Sequence, residues 1–189
     1  GLADGFGAYF GTGKAPPPRP VGIRAVNGTS PCELTVSWTA VSGASSYRLY
    51  TIENVRPGYE RAWDDGKIVR GTSVKLSNLT PGKVYAFQVA AMDKNGEGFP
   101  SPAVSVRVLS AGQKVEGLYL NAYDRRDSYV QEIDNDLGYA AEHGIALGSI
   151  SADFYFDGAT KDWIENGSMS LSNYAVVDYQ AGKNSTEHH

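Results

Sequence analysis

Cysteine is nearly missing from this 189-residue chain, and Cys32 alone rules out an internal disulfide and any multi-cysteine metal site. Charge of one sign is equally scarce. The net charge is −4, with 20% of residues charged, and no cluster of Lys and Arg offers the basic footprint that displaces phosphate counterions. Nucleic acid is excluded as a leading partner. No apolar run approaches the roughly 20 residues needed to cross a bilayer, and the first residues lack the basic-then-apolar order of a signal peptide. No transmembrane segment is expected. Only two Met occur, against twelve Tyr and 22 Gly, a balance that fits a β-rich protein of extracellular style. The length allows two small domains, each with its own core.

Leu2, Phe6, Tyr9 and Phe10 share one face of a helix that Gly11 and Gly13 end. Such a short helix is unstable alone, so its apolar face needs a partner. Residues 1–13 are therefore read as a terminal helix or the remnant of an upstream domain. A leader or a helix docked on the following domain is the alternative. Residues 14–19 follow as a proline-rich linker, because consecutive prolines remove amide donors and favour an extended, semi-rigid spacer. The stretch from Ala3 to Gly11 resembles the closing helix of zinc-dependent N-acetylmuramoyl-L-alanine amidase catalytic domains, where such a helix precedes a proline-rich link. The zinc-binding His and Glu residues of that family have no counterparts here.

From Pro20 the pattern becomes a series of short alternating strands. Ile23, Ala25 and Val26 suit a first strand. Leu34, Val36 and Trp38 face one way in the next, and Trp38 is expected to anchor the core. Tyr47, Leu49 and Thr51 share one side of a strand whose other side carries Tyr50 and Ile52. Val74, Leu76 and Leu79 lead into Thr80, Pro81 and Gly82, after which Tyr85, Phe87 and Val89 alternate on one face. Asn95 and Gly96 form a strong turn signal, and Val104 to Val108 is the closing strand.

The order and spacing of Pro20, Trp38, Tyr47, Leu79 with Pro81 and Gly82, Tyr85, Val89 to Ala91, Asn95 with Gly96, and Ser101 with Pro102 resemble fibronectin type III domains. The resemblance implies a β-sandwich over residues 20–110 and structural roles for Trp38, Tyr47, Leu79 and Tyr85. Tyr85 would be the family's tyrosine-corner residue, its hydroxyl bonded to backbone near the preceding turn. No Arg-Gly-Asp loop is present. The loop carrying Arg56 to Tyr59 and Trp63 to Gly66 offers Tyr59 and Trp63 as binding residues, since Tyr, Trp and Arg are frequent recognition anchors. The competing reading has Trp63 covering the sheet and Asp65 with Gly66 making a hairpin turn.

After Ala111 and Gly112 the period changes. Val115 to Asn121 reads as a buried strand and Tyr129 to Leu147 as a helix. Phe154 to Phe156 follows as a strand, Trp163 and Ile164 as a short helix, and Tyr174 to Tyr179 as an apolar strand. Strands alternating with helices imply a parallel sheet, so residues 111–189 are expected to form a partial α/β domain. An incomplete parallel sheet leaves apolar surface exposed unless another segment or chain closes it. Leu118 to Arg125, Tyr174 to Tyr179, Gly182, and Ser185 to Glu187 resemble the region after the fibronectin-like module in secreted bacterial xanthan-lyase-like proteins. That implies a flavodoxin-like or amidotransferase-like fold. Ala122 and Tyr123 depart from the Gly and Phe of that pattern, and Cys32 lies outside the region where an amidotransferase would need its nucleophile.

Ligands of open α/β sheets bind beyond the carboxyl ends of the strands. Asn121, Asp124, Arg125 and Asp178 occupy such positions and join Tyr59 and Trp63 as candidate binding residues. An ion pair or helix cap at Asp124 and Arg125, and a cap at Asp178, are the bland alternatives. Glu142 and His143 could serve acid–base or metal chemistry, or simply form a solvated helix face. Glu187, His188 and His189 make poor metal-site geometry in a chain terminus. Gly11 to Lys14 lacks the full spacing of a phosphate loop. No catalytic set, metal site or cofactor is expected. The chain reads as a mainly β, non-catalytic spacer or binding fragment of a secreted, periplasmic or cell-surface bacterial protein. Its expected partners are peptidoglycan or polysaccharide and flanking domains. The alternative is an accessory fragment of a cell-wall amidase or xanthan lyase whose catalytic residues lie elsewhere.

Overall fold

The computed structural model describes residues 15–123 and 132–181. The terminal helix expected within residues 1–13, Asp124, Arg125, and the motifs from Gly182 onward lie outside them. Eight strands form the sandwich: β1 (Arg24–Asn27), β2 (Leu34–Ser37), β3 (Ser46–Ile52), β4 (Lys67–Val69), β5 (Ser73–Leu76), β6 (Val84–Asp93), β7 (Gly96–Pro100) and β8 (Val104–Arg107). One sheet contains β1, β2 and β5. The other runs β4-β3-β6, with β7 and β8 pairing successive parts of β6.

Alternation decides which residues meet between these sheets. Leu34, Val36, Tyr47, Leu49, Tyr85, Phe87 and Val89 are all buried, as their period-two spacing requires. Trp38 is 2% exposed with its ring centroid 5.4 Å from that of Tyr47. The Tyr47 hydroxyl accepts from the Val41 amide at 2.8 Å. The Tyr85 hydroxyl accepts from the Thr80 amide at 3.1 Å, so the corner residue does what the resemblance implied. Leu79 packs against the same core from the rim. The proline-rich stretch does not stand clear of the sandwich. Pro17 is buried, and its carbonyl oxygen lies where a Cβ on Gly98 would come within 2.1 Å, so only glycine fits there on β7.

The remaining elements are β9 (Val115–Asn121), α1 (Glu132–Gly148), β10 (Tyr155–Thr160), α2 (Asp162–Glu165), a 3-10 turn at Leu171–Asn173, and β11 (Val176–Gln180). β9 pairs in parallel with both β10 and β11, the arrangement the alternating strand and helix pattern implied. These strands do not make a separate layer. β10 pairs antiparallel with β1, and one six-stranded sheet runs β11-β9-β10-β1-β2-β5. α1 packs on β8 and β6 of the opposite sheet and reaches β9 and β11. It thus continues the second layer beyond β8 and covers one face of the parallel strands.

That close approach depends on small residues. A Cβ on Gly158 would stand 2.1 Å from the Ser105 carbonyl oxygen, and one on Gly144 2.8 Å from the Ser105 Cβ. Ser105 Oγ donates to the Ala140 carbonyl at 2.6 Å. A polar knot holds the same seam. Asn27 Nδ2 donates to the Arg107 carbonyl and to Asp157 Oδ1, while its Oδ1 accepts from the Leu109 amide. The opposite face of the parallel strands buries Leu118, Leu120 and Ala159 beneath Trp163, Ile164, Met169 and Tyr174. Arg24 lies 3.9 Å above the centre of the Trp163 ring.

Candidate functional site

Three polar side chains end the parallel strands in register. Asn121 pairs with Thr160 on one side and Gln180 on the other, and all three are at most 3% exposed. Residues in register share a face, here the one toward α1, and Tyr119 with Asp178 form the row before them. Asn121 is committed to the fold: its Nδ2 donates to the Ala103 carbonyl at 2.9 Å and its Oδ1 accepts from the Tyr123 amide at 3.0 Å. Gln180 Oε1 accepts from the Tyr119 hydroxyl at 3.1 Å. Gln180 Nε2 and Thr160 Oγ1 are buried without a hydrogen-bond partner among the described residues.

Beside this row, Asp178 Oδ2 lies 2.7 Å from His143 Nδ1, with both side chains about one-third exposed or less. The Tyr119 ring packs against the imidazole at 5.6 Å. A βαβ crossover brings the pair together by laying α1 over the parallel strands, so residues 35 positions apart meet. Sequence alone had offered His143 with its neighbour Glu142, and Asp178 as a binding residue at a strand end or a cap. A carboxylate at Nδ1 orients the ring and leaves Nε2 to exchange a proton. Among the described residues no hydroxyl or thiol hydrogen bonds to that nitrogen.

Asp157 faces the other side of the sheet, almost fully buried. It accepts from the Asn27 amide and side chain and from the Tyr174 hydroxyl. Burial pushes its carboxyl above the ordinary carboxylate range, while those three hydrogen bonds pull it down. Burial, and then the charge of Asp157, push the Tyr174 phenol up. The sequence carried no sign of this cluster, because Asn27, Asp157 and Tyr174 come from three separate segments.

The loop between β3 and β4 places Tyr59 and Trp63 half-buried against the sandwich core. Burial raises the Tyr59 phenol, Arg61 opposing and the charge of Glu142 adding to it, and its hydroxyl has no hydrogen-bond partner among the described residues. Asp64 Oδ1 accepts from the Thr51 and Gly66 amides, and Gly66 takes φ 74° where a side chain would strike Arg48. Trp63 covers the core and Gly66 turns the chain, so neither Tyr59 nor Trp63 stands out as a free aromatic. On the outer face of the β3-β6-β7 sheet, Tyr50 donates a short hydrogen bond to Glu97, which also pairs with Arg48 at 2.9 Å. Burial, followed by that hydrogen bond, pushes the Tyr50 phenol up to about 12.

The family model described as "Fibronectin type III domain" matches residues 16–107. The poly(3-hydroxybutyrate) depolymerase of Ralstonia pickettii is 35% identical over 106 residues, covering 55% of this chain and 19% of that protein. The enzyme of the same name from Delftia acidovorans is 36% identical over 101 residues, covering 50% and 19%. Human neogenin is 34% identical over 82 residues, covering 43% and 6%. The chain thus spans less than a fifth of the length of each of these relatives. No helix among the described residues is long and apolar enough to cross a membrane. The two-sheet pairing of β1 to β8 and the hydroxyl bond of Tyr85 give the same answer as the family match. Residues 16–107 are a fibronectin type III domain, onto which the parallel strands are built.

Proposed function

We propose that this chain is a non-catalytic binding or spacer part of a secreted bacterial protein that works on or beside an insoluble polymer. The observation that carries the reading is the recurrence of this region in two bacterial depolymerases, where it makes up 19% of each enzyme. Poly(3-hydroxybutyrate) is a polyester, so the polymer is drawn more broadly than the peptidoglycan or polysaccharide suggested by sequence. A rigid sandwich suits the task because a folded module can hold a neighbouring domain against a surface without losing conformational entropy on contact. The location that follows is extracellular, periplasmic or on the cell surface.

Co-sedimentation of the purified chain with peptidoglycan, insoluble polysaccharide and poly(3-hydroxybutyrate) granules tests this. Saturable depletion on one of them supports binding. Depletion on none removes binding and leaves spacing.

A second reading is favoured by the names of the two bacterial relatives, which are those of depolymerases: the chain is an accessory fragment of a hydrolase or lyase. An N-acetylmuramoyl-L-alanine amidase or a xanthan lyase are the forms suggested by the resemblances of residues 3–11 and of the tail. A flavodoxin-like or amidotransferase-like completion of the parallel sheet belongs to the same reading. Asn121 and Asp178 are then the ligand groups in the described part of the sheet, and Asp124 and Arg125, which lie outside the described residues, are proposed from the sequence alone. Release of soluble products from any of these polymers by the chain alone would overturn the non-catalytic reading.

A further inference from the structure

Where the sandwich meets the end of α1, a cleft of about 200 Å³ is lined by Asn54, Arg56, Lys83, Arg107, Ile145 and Ser149, among others. Three of its lining side chains are cationic and none is a carboxylate, on a chain whose net charge is −4. We propose that this cleft binds an oxyanion, carboxylate or phosphate, carried on an acidic polymer. The inference rests on the binding reading above and names the chemistry that would be recognised.

The cations are held in place differently, and the difference marks which ones await a ligand. Arg107 is a strut: its Nε donates to the Gly82 carbonyl at 3.0 Å, and its Nη1 to the carbonyls of Ser151 and Phe154 at 2.8 and 2.7 Å. Its guanidinium stacks on Tyr155 at 4.9 Å. Arg56 and Lys83 have exposed side chains and make no ion pair or side-chain hydrogen bond among the described residues. Their backbones are fixed nonetheless. The Val55 amide donates to the Val84 carbonyl at 2.8 Å, the Tyr59 amide closes a turn on the Arg56 carbonyl at 2.9 Å, and the Lys83 carbonyl accepts from the Val108 amide at 3.0 Å.

The helix end facing the cleft does not need these cations. The Ile145, Ala146 and Leu147 carbonyls are already taken by Ser149 Oγ, the Ser149 amide and the Ile150 amide. Two exposed cations that line a concave cleft without a lining carboxylate, and that are unpaired among the described residues, therefore keep their attraction for an external anion. The site exists only where the sandwich and the tail meet, because Ile145 and Ser149 close it from the α1 side.

The test is amide NMR titration of the full chain with trigalacturonate, inorganic phosphate and, as the neutral control, cellotriose. Saturable shifts centred on Gly82, Lys83 and Gly148 are expected with at least one anion and not with cellotriose. The stronger anion identifies the source. Arg56→Glu with Lys83→Glu should weaken binding by about tenfold or more, the loss expected for a charge-assisted hydrogen bond. Lys67→Glu, an exposed charge reversal on β4, should leave it unchanged. Absence of saturable shifts up to about 10 mM anion, or equal weakening by Lys67→Glu, overturns the site. If the double variant still co-sediments with a polymer as the parent chain does, the binding reading stands and the cleft falls. If neither chain binds any polymer, the binding reading itself falls.

Discussion

The sandwich and the parallel tail bury their strands by opposite rules. In the sandwich, β2 alternates buried and half-buried residues because one face meets the core and the other meets water. In the tail, all six residues of β10 and the last five of β9 are buried, since α1 and β8 cover one face while Trp163, Met169 and Tyr174 cover the other. β11 breaks the tail's own rule. It is as apolar as its neighbours, yet Val176, Val177 and Tyr179 are 43%, 36% and 48% exposed. Apolar sequence sets what a strand would bury; its place in the sheet decides whether it can. Among the described residues β11 ends the six-stranded sheet, with β9 as its one neighbour.

The comparison can be broken at the shared core, which extends from Ile23 in the sandwich to Phe156 in the tail. Trp38→Ala is expected to cost about 3–5 kcal/mol, read as a lower urea midpoint, with sandwich and tail unfolding in one transition. Two separated transitions would mean that the halves are stable independently. Gly158→Ala sharpens the same question. Its new methyl would press on the Ser105 carbonyl oxygen, at an expected cost of about 1–3 kcal/mol. Hydrogen exchange should then show β9, β10 and α1 losing protection before β3 and β6. Uniform loss would contradict a seam that opens first.

Legibility in the sequence follows the same division. Trp38, Tyr47 and Tyr85 could be placed because alternation and turn spacing are local properties of the chain. The tail strands were equally legible as elements, with β9 falling on Val115–Asn121 and β11, Val176–Gln180, displaced slightly from the expected Tyr174 to Tyr179. Neither pattern reveals that β10 pairs with β1, because the pairing of Arg24 with Ala159 and of Ala25 with Gly158, so far apart in the chain, leaves no periodic trace. Gly158 and Ser105 look unremarkable until β10 and β8 touch. The candidate site divides likewise. Asp178 and His143 were each singled out for their chemistry, and only the crossover of α1 over β11 pairs them. Asn121 was chosen as a strand-end ligand group, but its hydrogen bonds to Ala103 and Tyr123 make it a brace.

Asp157 and Asp178 carry the comparison down to two carboxylates on the two faces of one sheet. Burial holds the folded-state pKa of Asp157 above its ordinary 3.8, so the folded protein binds that proton more tightly than the unfolded chain. The stability this contributes is present below the unfolded value and lost as pH rises through the folded one. Asp157→Asn can still accept from both Asn27 donors and removes the buried charge. At neutral pH the variant should equal or exceed the parent in stability, by an amount on the order of 1 kcal/mol. That advantage should shrink toward pH 4. A variant that is less stable by a constant amount at every pH would mean that the hydrogen bonds to the carboxylate outweigh its burial.

The smallest effect is expected at His143 and Asp178. The pair is partly solvated, and ion pairs in that setting contribute between nothing and about 1 kcal/mol. A double-mutant cycle with His143→Ala and Asp178→Asn, followed by urea unfolding at pH 6 and pH 8, isolates the coupling from the loss of Tyr119 packing. A coupling within that range fits a pair at an open rim. A coupling above about 2 kcal/mol is the value of a desolvated pair, and the exposed Val176, which shares the face of Asp178 on this strand, would then have to be covered in solution. Concentration dependence of the measured coupling would show whether a second copy of the chain provides the cover. The weakest interaction in the tail is thus the most sensitive reporter of whether its last strand is an edge.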